Sequence, residues 1–261
     1  MSPTPPVWSL GLLLPLVLLF SAMASIGWYH WSETLGLSRA LSAKASFLVV
    51  EVLGILLPAL GLAQLLKVDP EATFPTRRVS AAALLSVFVG TLGLSILLTY
   101  LQDVYQKAFN LPYPEALLEV LTIHSPVEGI LLAAGVVLAA AICEEALFRG
   151  YVQSALQEQL KPAAAIALTA LLFAAFHLEP AGLPTYLILG AWLGWLRYAG
   201  HSLWLPILAH GTNNLLALIQ ANVLGEAYWT AHVTTMLPLG LFLAFAGGLG
   251  LRHSLRQTLA R

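Results

Sequence analysis

The sequence predicts an all-α, polytopic membrane protein of about eight transmembrane helices, and three observations carry that prediction. Of 261 residues, 59% are apolar and only 10% charged. With a mean hydropathy of +0.82, the chain lies far outside the range of soluble domains. The apolar residues also gather into eight stretches, most near the length of about 20 that a bilayer core roughly 30 Å thick demands. The Lys and Arg residues, finally, favour alternate connecting segments.

The first stretch, 7-28, contains Ala22-Met23-Ala24, which resembles a signal-peptidase site. Nothing basic precedes it and the run is long enough to span, so it is expected to remain as a helix. Stretches 46-66, 79-101 and 127-149 follow at full length. Those at 162-178 and 183-198 are shorter and suit tilted, partly re-entrant or bundle-packed helices, and 203-222 and 227-250 complete the set. Between the third and fourth, residues 102-126 carry Leu117, Val120 and Leu121 at i, i+3 and i+4 after Pro112-Tyr113-Pro114. This spacing predicts an amphipathic connector along the outer interface. Trp192, Trp195, Tyr198 and Trp204 surround the turn between the sixth and seventh stretches, as an interfacial aromatic belt would.

Assigned to the two sides, Lys67, Arg77, Arg78, Arg149, Lys161, Arg197, Arg252, Arg256 and Arg261 face Arg39, Lys44 and Lys107; setting Arg149 aside leaves eight against three. Both termini are therefore expected on the cytoplasmic side. No fixed-period repeat or low-complexity linker interrupts the chain, so a single membrane domain over 1-261 is expected. A lone cysteine, Cys143, excludes a disulfide framework, and a formal net charge of -1 gives no basic character for nucleic acid.

Ionisable groups inside membrane spans are costly, and three clusters occur. In Glu144-Glu145-Ala-Leu-Phe-Arg149-Gly150, Glu145 and Arg149 are at i and i+4 and can pair, while Glu144 is rotated about 100° away and stays available. The second cluster is Phe173-Ala-Ala-Phe-His177, and the third is His210-Gly-Thr-Asn213-Asn214. His210 has Asn214 at i+4 and Asn213 at i+3, so one helix face offers an imidazole and a carboxamide. If the fourth and fifth helices turn near Pro162, Glu144 and His177 fall at similar depth, whereas His210 would sit roughly 10 Å shallower at 1.5 Å per residue. A carboxylate and a neutral histidine sharing one water can remove its proton as it attacks a peptide carbonyl, and a His/Asn pair can hold the oxyanion.

At these residues the sequence resembles the CAAX-protease and bacteriocin-processing (CPBP, or abortive-infection) family, which includes the type II CAAX prenyl proteases. The family pattern is Glu-Glu-x-x-x-Arg, then Phe-x-x-x-His, then His-x-x-x-Asn on successive membrane helices, and all three are present here. The resemblance covers about 127-220, the expected catalytic helices, and implies an eight-helix fold with a site opening toward the cytosol. It implies a glutamate-type intramembrane endopeptidase in which Glu144 is the general base with His177. His210 and Asn214 form the oxyanion hole, the pattern favouring Asn214 over Asn213, and Glu145, Arg149 and Phe173 support them.

No cofactor is required by this chemistry, although Glu144, His177 and His210 are legitimate zinc ligands that leave a fourth position for water. Two other classes would use the same buried groups: a transporter, as a proton or ion relay, and a noncatalytic membrane scaffold. The expected partners are the lipid bilayer and a membrane-associated protein or peptide, with no nucleic acid. A prenylated CAAX tail suits a eukaryotic member, while leader peptides or C-terminal anchors suit bacterial ones. The short chain favours a bacterial inner membrane. Glu51 and His232, each near the end of a span, read as interfacial or packing groups.

Overall fold

In the computed structural model, residues 4-112, 115-224 and 226-259 are described, and all of their regular structure is helical. Among the described residues, five helices are long and apolar enough to cross a membrane. They are α1 (Val7–Thr34), α2 (Arg39–Leu65), α3 (Ala81–Phe109), α4 (Pro126–Gln157) and the last helix of the chain, Glu226–Leu259. Between α4 and that last helix lie α5 (Pro162–Phe176), α6 (Leu183–Gly200) and α7 (Trp204–Ile219), of 15, 18 and 16 residues. The last helix is α8. Each apolar stretch of the sequence thus contains a helix, but α5, at about 22 Å, is shorter than a bilayer core is thick.

Several helices outrun their apolar stretches because polar residues continue the backbone pattern. Ser38 caps α2 by accepting from Leu41 N at 3.2 Å, so this helix begins seven residues before 46. Helix α3 continues to Phe109 with Lys107 bonded to Asp103 at 2.7 Å one turn earlier. It ends at Asn110 in the left-handed conformation, φ 49°. The expected connector is therefore shorter than 102-126: Gln102 through Phe109 belong to α3, and a seven-residue helix, Glu115–Leu121, follows. Tyr113, Pro114 and Arg261 lie outside the described residues.

The chain forms two compact units, one from residues 1-76 and 120-165 and the other from 77-119 and 166-261. In the first, α2 packs against both α1 and α4. A Cβ added to Gly54 would lie 2.6 Å from Ser21 Cα, so only glycine admits this approach of α1 to α2. Lys44, 1% exposed, joins the starts of α2 and α4 through a 2.6 Å ion pair with Glu128. Helical turns widen to π geometry at Val50–Leu56 in α2 and at Ala133–Ala139 and Ala146–Val152 in α4, so Glu51 and the Glu144-Glu145 pair all sit in or beside such turns.

In the second unit α3 is the spine. It packs along α8 in antiparallel register, Ser86 against Gly250, Gly90 against Gly247 and Gly93 against Ala244. A Cβ on Gly247 would come within 2.3 Å of Gly90 Cα. Small residues let two backbones approach closely, which replaces the hydrophobic drive that lipid removes. Polar side chains join α3 to its other neighbours. Trp192 Nε1 on α6 donates to Thr91 Oγ1 at 3.2 Å, and Ser95 Oγ donates to Asn213 Oδ1 on α7 at 2.9 Å.

This packing generates a test. Gly247→Val should destabilise the protein by about 1-3 kcal/mol, because the contact is backbone against backbone and cannot yield. Gly248→Ala meets nothing within 4 Å and should leave the unfolding temperature in detergent unchanged. Equal thermal stability of the two variants would refute the glycine contact as a determinant of the fold.

Candidate active site

In the first unit the Glu145–Arg149 pairing expected from the sequence is present. Arg149 Nη1 donates to Glu145 Oε1 at 2.7 Å, and both side chains are fully buried. Such a pair survives the loss of water only because each charge is compensated. Glu144, 8% exposed, points elsewhere, and its carboxyl group lies near that of Glu51 from α2, also 8% exposed. Oε2 of each is buried without a donor from the described residues.

Glu51, expected as an interfacial or packing group, is buried with its carboxyl near that of Glu144. This proximity was illegible because the two residues are 93 positions apart (144 minus 51) and their apposition depends on how α2 packs on α4. The one available signal was an acid inside an otherwise apolar run.

In the second unit Phe173, His177 and His210 come together. His177 follows the last residue of α5, and its Nδ1 is 2.8 Å from Phe173 O. A carbonyl oxygen only accepts, so Nδ1 carries the hydrogen and a neutral ring keeps its lone pair on Nε2. The ring stacks on Tyr186 of α6 with centroids 4.0 Å apart, and Phe173 meets it edge-on at 4.6 Å. Phe173, fully buried, also meets the His210 ring at 5.7 Å and 80°. Phe173 is thus in contact with both imidazole rings. Tyr186 was not singled out from the sequence, where it is one aromatic among many.

On α7, Asn213 is engaged with α3, accepting from Ser95 Oγ at 2.9 Å. Its Nδ2 donates to Asn214 Oδ1 at 3.4 Å. His210 is 2% exposed one turn before Asn214. Within neither unit do three His, Cys, Asp or Glu side chains among the described residues gather as a metal site requires.

Every motif residue falls inside one matched stretch. Residues 126-216 match the type II CAAX prenyl endopeptidase Rce1-like family. This Rce1-like match agrees with the CPBP resemblance and runs from the start of α4 into α7. With its long apolar helices, the chain is an integral membrane protein. Among curated proteins, the rat G-protein coupled bile acid receptor 1 is 43% identical over 56 residues, 22% of this chain. The mouse and human receptors are 41% identical over the same length. The chain spans 17% of the length of these curated relatives, and what they bind stays with them. No solved structure matches.

Removing either member of the buried ion pair leaves an uncompensated charge. Glu145→Ala and Arg149→Ala should each cost roughly 3-5 kcal/mol and lower the folded yield. Wild-type unfolding temperatures in both variants would show that the pair does not hold α4.

Proposed function

We propose that the protein is a CPBP-type intramembrane endopeptidase that hydrolyses a peptide bond with water activated by Glu144 and His177. The observation that carries the reading is the ordered set of three motifs, all seven residues of which fall within the Rce1-like stretch. Glu144 takes the proton of the attacking water while the water oxygen adds to the scissile carbonyl carbon, and His177 shares that water through its Nε2 lone pair. The proton then passes to the leaving amine as the carbon–nitrogen bond breaks. His210 and the Nδ2 end of Asn214 donate to the oxyanion. Arg149 neutralises Glu145, so Glu144 is the acid of the pair left for chemistry.

In this reading the chain crosses the bilayer eight times, α5, α6 and α7 included, with both termini and the mouth of the site on the cytoplasmic side of a bacterial inner membrane. The substrate is a membrane-associated or lipidated protein or peptide, cleaved near a C-terminal tail or a leader. A zinc-dependent form of the same protease is the second reading, favoured by one observation. An imidazole whose Nδ1 donates to a carbonyl, as His177 does, is also oriented for a metal at Nε2.

Purified protein with prenylated and leader-type peptides should cleave at least one class, and Glu144→Gln should abolish cleavage while inserting and folding normally. Near-normal turnover in Glu144→Gln would remove Glu144 as the base. Asn214→Ala should lower kcat by roughly 10²- to 10³-fold with little change in KM, the usual cost of one oxyanion donor. Elemental analysis separates the two readings: stoichiometric zinc whose removal ends activity and whose return restores it would replace the metal-free mechanism.

A further inference from the structure

Arg197, in the last turn of α6, is 7% exposed, and its Nε is buried without a hydrogen-bond partner. Among the described residues no carboxylate forms an ion pair with it; its charged neighbour is a second cation, Arg77. The juxtaposition is built into the unit's backbone. Ser202 Oγ, two residues past the end of α6, donates to Arg77 O at 2.8 Å and accepts from Trp204 N at 3.3 Å. The segment leading into α3 is thereby held against the turn between α6 and α7. A buried guanidinium beside a like charge is unfavourable unless an anion joins them. The C-terminal dipole of α6 offers only about half an elementary charge and no directed acceptor for the Nε hydrogen.

The surroundings identify the kind of anion. Trp195, Tyr198 and Trp204, on either side of the same turn, are 40%, 43% and 49% exposed. Indole and phenol rings in such positions sit at headgroup level, with their apolar bodies toward the acyl chains. Here α6 ends and α3 is about to begin, so this is an end of the helices, where headgroup phosphates lie. A guanidinium fork matches two phosphate oxygens, and an exposed arginine beside it supplies a second positive charge.

We propose that Arg197 and Arg77 form a binding site for the phosphate of an anionic phospholipid headgroup, framed by Trp195, Tyr198 and Trp204. The site is separate from the protease motifs and stands whether or not the proposed chemistry holds.

The test is thermal unfolding of delipidated full-length protein in neutral detergent, with and without added lipid. Mixed micelles containing phosphatidylglycerol should raise Tm by about 5 °C or more near saturation. Phosphatidylcholine, whose choline offsets its own phosphate, should give less than half of that rise. Inorganic phosphate at the same concentration should give none. Arg197→Leu removes a charge that has no protein acceptor, so it should fold and lose most of the phosphatidylglycerol increment. Arg77→Ala, altering an exposed side chain, should fold in any case and also lose much of it, so the test survives a misfolded Arg197 variant. A full increment in Arg77→Ala and in any folded Arg197→Leu would overturn the site. Equal shifts with phosphatidylglycerol and phosphatidylcholine would do the same, and a matching shift with inorganic phosphate would overturn the lipid assignment.

Discussion

A polar group taken out of water must find its partner within the protein, and in a chain this apolar that requirement governs nearly every polar residue. Arg149 and Glu145, both fully buried, answer it within one helix by standing one turn apart. Lys44 answers it between helices by reaching Glu128. Asn213 is tied to Ser95, and His177 to the carbonyl of Phe173. These bonds orient as well as compensate. The carbonyl bonded to His177 decides which ring nitrogen keeps its lone pair, and the arginine that neutralises Glu145 leaves Glu144 to face Glu51.

Such polar fastenings need backbones that are already close, and small residues provide this. Gly54 against Ser21, Gly93 against Ala244 and Gly247 against Gly90 admit approaches that a side chain would block. With α8 seated along α3, the other sides of α3 receive α6 and α7 through Thr91 and Ser95. Ser95 therefore helps to set the rotation of the helix that carries His210 and Asn214. The widened turns flanking Glu144-Glu145 belong to the same local design, since a π turn shifts the faces of residues on either side of it.

The Rce1-like match and the geometry within each unit bear on the chemistry in different ways. The match places residues 126-216 with the type II CAAX prenyl endopeptidase Rce1-like family. The geometry adds a buried acid pair, a histidine of defined tautomer and an aromatic ring in contact with two imidazoles. The similarity to the bile acid receptors spans only about a fifth of the chain (22%).

By itself the sequence determined what depends on residues near one another along the chain. Long apolar runs required membrane helices, and an i, i+4 spacing was enough to place Arg149 on Glu145 and to put His210 and Asn214 on one face of α7. Polar residues in those runs were conspicuous because each is expensive there, so the polar motif residues stood out. Only tertiary structure decided the contacts between distant segments: Glu51 on Glu144, Tyr186 on His177, Ser95 on Asn213 and Arg77 beside Arg197. Helical periodicity names the face a residue occupies on its own helix. Which face of another helix meets it follows from rotation and close approach, set by glycine contacts and capping bonds that leave no periodic trace in the sequence.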